Sequence, residues 1–96
     1  MRYLTVDGMM SGTGVRDSVA GGYLHLSDLG LSPPLASRIS EWLRAYAAAQ
    51  LDGYRDKARV TMLDEEGLRI CAAVRDEVPD SKVEYYSDAL MQRQLL

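Results

Sequence analysis

The chain has 96 residues, 47% hydrophobic and 26% charged, with a single cysteine and a formal net charge of -3. Such a length supports one domain, residues 1–96, around one core, and the composition is too apolar and too weakly charged for a disordered chain. No apolar run nears the roughly 20 residues that cross a bilayer, no basic stripe is present to hold nucleic acid, and one cysteine forms no internal disulfide.

In chain order, MRYLTVDG is too short and too polar for the apolar region of a signal peptide. Residues 2–6 alternate, and the spacing predicts a strand with Leu4 and Val6 on one face. Residues 8–23, GMMSGTGVRDSVAGGY, hold five glycines and read as a loop. A second short strand is predicted at 23–26, with His25 facing away from Leu24 and Leu26. Ser32 then caps a helix with Pro33 at its first position, where the missing N–H costs nothing. Leu35, Ile39, Trp42, Leu43 and Tyr46 form its apolar stripe, and Asp52 and Gly53 end it after about Leu51.

A second helix is predicted from about Lys57 to Val78 with Asp56 as its cap; a break near Asp64 is the competing reading. Val60, Leu63, Gly67, Ile70, Cys71, Val74 and Val78 share one face. A glycine inside a helix costs on the order of 1 kcal/mol relative to alanine, so Gly67 predicts a close approach, taken to be that of the other helix. KVEYY, residues 82–86, reads as a strand with Val83 and Tyr85 on one face. The last ten residues, 87–96, polar with MQRQLL at the end, read as a helical turn or a loose tail. The elements predict an α+β fold: a two-layer domain of two antiparallel helices packed on a small two- or three-stranded sheet, with the terminal strands adjacent.

The glycine-rich stretch is the first candidate for chemistry. A phosphate-binding loop of the G-x-x-x-x-G-K-[ST] type needs a lysine, and the chain has none before Lys57. A dinucleotide fingerprint started at Gly12 and Gly14 would need glycine where Asp17 stands. The loop 8–22 therefore reads mainly as turn structure. The alternative is a small-molecule or anion-binding role, with Ser11, Gly12, Thr13 and Gly14 forming a nest of backbone N–H groups and Arg16 balancing an anion.

His25 is the only histidine, and with Cys71 alone beside it no common zinc set can be assembled, so neither metal nor cofactor is expected. No G-x-S-x-G elbow is present, and no catalytic residue is assigned. Cys71, on an apolar stripe, reads as a buried inert thiol, and its free state fits a reducing cytoplasm. The charge is uneven: residues 1–50 hold four acids and four arginines, residues 51–96 ten acids and seven bases. Asp64, Glu65, Glu66, Asp76 and Glu77 thus predict an acidic docking face on the second helix, with Tyr54 and Tyr86 as rigid aromatic anchors. Asp64 and Asp76 stand about 18 Å apart along a helix, too far to share one metal.

The words DGMMSGTGVRD, GGYLHLSDLGLS, DGYRDKA, LDEEGLRI and KVEYYSDA together resemble a family of small uncharacterised bacterial proteins, over nearly the whole chain. The resemblance implies no active site; it implies a compact protein of the kind that includes immunity-type partners of secreted toxins. The expectation is a non-enzymatic cytoplasmic protein-binding domain for a basic partner, with an immunity-type protein neutralising a toxin as one form of it.

Overall fold

The computed structural model describes residues 1–94. Both helices form where their caps stand. Ser32, extended at ψ 149°, accepts from the Leu35 amide at 3.4 Å and opens α1, Pro33–Leu51. Asp56 accepts from the Arg59 amide at 3.1 Å and opens α2, Lys57–Glu77. The helix α1 buries Leu35, Ile39, Trp42, Tyr46 and Ala49, at the alternating three and four spacing of one helical face. The α2 helix runs through Asp64 without a break. Its buried stripe includes Asp64 itself, whose carboxylate finds three hydroxyl partners inside the fold.

Polar contacts tie the helices as well as apolar burial, that of the Tyr46 hydroxyl with Asp64 among them. The Trp42 indole N–H donates to the Leu63 carbonyl at 2.9 Å, and Arg38 forks onto Glu66 at 2.9 and 3.0 Å. Gly67 does not mark the helix–helix approach expected of it. A side chain there would run into the ring of Tyr85, so the close neighbour is the sheet.

Among the described residues the sheet has four strands rather than two or three: β1 Arg2–Asp7, β2 Val15–Asp17, β3 Ser81–Ser87 and β4 Gln92–Gln94, in the order β2-β1-β3-β4. It is mixed. The terminal strands β1 and β3 are neighbours, as expected, and run parallel in the register Leu4↔Val83 to Asp7↔Tyr86, whereas β2 and β4 flank them antiparallel. Leu4, Val6, Val83 and Tyr85 face the helices and join the core. Tyr3, Thr5 and Asp7, with Lys82, Glu84 and Tyr86, alternate onto the opposite face.

Two strand expectations are corrected. The strand lies at 15–17, inside the glycine-rich stretch, and residues 23–26 make only one bridge, Tyr23 to Arg16, before a 3-10 turn at Leu26–Leu29. Leu24 and Leu26 alternate because they pack on the core, not because they pair in a sheet. The strand β4 replaces the expected helical turn or tail as far as Gln94; Leu95 and Leu96 lie outside the described residues. Among the described residues no helix is long and apolar enough to cross a membrane.

Candidate functional site

The glycine-rich stretch folds as a turn, a strand and a second turn. The Gly12 amide donates to the Met9 carbonyl at 3.0 Å, and the Asp7 amide to the Gly14 carbonyl at 3.0 Å. Gly14 holds φ 100°, a conformation that disfavours side chains, and a Cβ there would strike Ile39. The Thr13 hydroxyl donates to the carbonyls of Leu24 and Val15, and Ser11 is exposed. Arg16 does not wait for an external anion: its guanidinium donates to the Asp7 carboxylate at 2.8 Å. Gly14 is buried and Thr13 engaged, so Ser11, Gly12, Thr13, Gly14 and Arg16 form a braced hairpin in place of an open nest.

The acids expected on one face of α2 are dispersed. Asp64 is buried and does not reach the surface. Its carboxylate accepts from the hydroxyls of Tyr46, Tyr85 and Ser87 at 2.8, 2.6 and 2.7 Å. The Tyr46 and Ser87 oxygens accept in turn from the amides of Ala89 and Leu90, so Asp64 anchors the turn between β3 and β4. Burial first, and the adjacent carboxylate next, push the Tyr85 phenol well above its ordinary range. Glu66 is shared by Arg38 and Arg69, and the Arg38 contact holds its carboxyl below the usual value. Glu77 accepts from the backbone and hydroxyl of Ser32 at 2.6 and 2.8 Å, fastening the start of α1. Only Glu65 and Asp76 of the five are exposed on the helix.

A different set of groups converges at the carboxyl ends of β1 and β3. A concavity of about 400 Å³ is lined there by Asp7, Met9, Arg16, Tyr23, Tyr86 and Asp88, among others. Asp7, only 4% exposed, accepts from the Tyr23 hydroxyl at 2.6 Å and from Arg16. Asp88 accepts from the Tyr54 hydroxyl at 2.8 Å. Among the described residues no cation lies within ion-pair distance of Asp88; Arg93, the register partner of Tyr86, is turned to Glu84 at 3.6 Å. Desolvation and the neighbouring carboxylates push the phenols of Tyr23 and Tyr54 upward, so both remain protonated donors.

The site combines two carboxylates, one arginine and three phenols, for a net formal charge of -1. Tyr54 and Tyr86 were legible as aromatic candidates; Tyr54 donates to Asp88, and Tyr86 lines the concavity with it. Asp7, Tyr23 and Asp88 were missed. Their signal was an aspartate closing each of two apolar alternations, in VDG and YSDA, and only the parallel pairing of β1 with β3 sets those ends side by side. His25 is exposed at the start of the 3-10 turn and makes no side-chain hydrogen bond there. Burial pushes the Cys71 thiol up to about 12. No group of three or more His, Cys, Asp or Glu among the described residues is placed to hold a metal ion. Comparison with family models, with curated proteins and with solved structures found no match, so the family resemblance rests on the sequence words alone.

Proposed function

We propose that the chain is a non-enzymatic binding protein that takes a basic side chain of a protein partner into the concavity at the ends of β1 and β3. The observation that carries this reading is Asp88: a partly buried carboxylate, oriented by Tyr54, with no cation of its own among the described residues. An incoming guanidinium or ammonium would complete the pair, and the rings of Tyr23 and Tyr86 offer π faces that favour a cation. Tyrosines also suit such a role because they give a rigid apolar contact with a polar tip. The basic partner inferred from the charge of the second half is kept, while its docking face moves from α2 to this site. A cytoplasmic setting suits the free thiol of Cys71, and blocking a cationic toxin is one form the role would take.

The test is an amide-shift titration with a short peptide of alternating Arg and Gly. Saturable shifts should map to Gly21, Tyr23, Tyr86 and Asp88, and should weaken as salt rises. A Glu65→Lys/Asp76→Lys variant should bind as wild type does. If that variant loses the peptide, or if the shifts lie along α2, the docking face is the helix and this assignment is wrong.

A further inference from the structure

A second depression, of about 410 Å³, lies near the amino ends of β1 and β3, lined by Tyr3, Ser18, Val19, Lys82 and Glu84 and, from α2, by Arg75. That volume lies within the roughly 300–1,000 Å³ usual for small-molecule sites. Its walls are fixed before any ligand arrives. The Asp17 carboxylate accepts from the amides of Val19 and Ala20, each at 2.8 Å, and the Ser18 amide donates to the Tyr3 carbonyl at 2.9 Å. This turn holds the Val19 side chain out in water, 81% exposed, opposite the half-exposed ring of Tyr3. An apolar side chain locked in that position offers a contact that the fold itself leaves unused.

The charges of the lining are unequal. Glu84 is already engaged, accepting from the Thr5 hydroxyl at 3.0 Å and facing Arg93. Arg75 and Lys82 have no carboxylate within ion-pair distance among the described residues. An apolar cleft with two free cations at its margin matches an anion that carries an apolar body.

We propose that this depression binds a small monocarboxylate with an aromatic or aliphatic body, the body lying between Tyr3 and Val19 and the carboxylate meeting Arg75 and Lys82. This binding is separate from the docking of a basic partner. It uses none of the groups around Asp88, so either assignment survives the failure of the other.

The experiment is an amide-shift titration of the full chain with 4-phenylbutyrate, with 4-phenylbutanol as the neutral isostere. The acid should give saturable shifts at Tyr3, Val19, Lys82 and Glu84. The alcohol, and the acid on an Arg75→Gln/Lys82→Gln variant, should each bind at least about tenfold more weakly. Both substitutions are at exposed side chains, and a wild-type amide spectrum elsewhere verifies that the variant folds. Equal binding of acid and alcohol would reduce the site to an apolar patch and overturn the proposal. So would shifts centred elsewhere, or no saturation up to about 10 mM.

Discussion

Asp64 shows how far a residue's role can depart from its letter. In LDEEG it is one of three consecutive acids, and the natural reading is a solvated helix face. Read with Glu65 and Glu66 as part of a docking face, it lies instead on the buried stripe of α2, and spacing along the helix carries no sign of the partners that make burial tolerable. Tyr46, Tyr85 and Ser87 come from a helix and a strand distant in sequence. Truncation to alanine removes the acceptor shared by three buried hydroxyls, of which those of Tyr46 and Ser87 keep each other at 3.4 Å, at a cost of about 1–3 kcal/mol for each group left unsatisfied. We predict that Asp64→Ala lowers the denaturant midpoint far more than Glu65→Ala does, and equal losses would contradict the buried network. Gly67 makes a second residue-level case. Alanine is the better helix former by about 1 kcal/mol, yet its methyl would meet the Tyr85 ring. Gly67→Ala should therefore destabilise by about 1–3 kcal/mol, and a stabilised variant would show that the sheet yields there.

At the scale of elements, the helices were legible because their signals are local. A capping side chain, a following proline or apolar stripe, and a glycine past the end all act within a few residues. The strands β2 and β4 were not legible, since three residues carry no period and each depends on a neighbour for pairing. The helix pair makes a direct prediction. Ile39 and Ile70 are both fully buried, so replacing either by alanine should cost about 2–5 kcal/mol in urea denaturation. A shift no larger than that of the exposed Arg44→Ala control would refute the packing. The Arg38–Glu66 pair adds a pH-dependent part. The folded carboxyl of Glu66 lies below its ordinary 4.5, so its contribution is complete above that value and is lost as pH falls through the lower folded one. Both partners are partly exposed, which limits the contribution to about 1 kcal/mol or less. The stability difference between wild type and Arg38→Gln should be largest near neutrality and shrink below pH 4.5; a difference that grows with acidity would reverse the sign of the argument.

For the whole molecule, the two-layer arrangement leaves one sheet face without helices, and the parallel β1–β3 pair brings two strand ends together on it. The α+β class was readable from element order, because two helices with apolar stripes need a sheet to cover. The site was not, because charge was counted along the chain while the fold distributes it in space. It buries Asp64, pairs Glu66, ties Glu77 to Ser32, and leaves Asp88 facing a concavity. The account therefore turns on whether Asp88 receives a cation. The direct measurement is calorimetric affinity of the Arg-Gly peptide for wild type and for Asp88→Asn at low salt. Removing one carboxylate while keeping its shape should weaken binding about tenfold, the scale of a charge-assisted hydrogen bond. Equal affinity in the two proteins would contradict the assignment of Asp88 as the residue that receives the partner's charge.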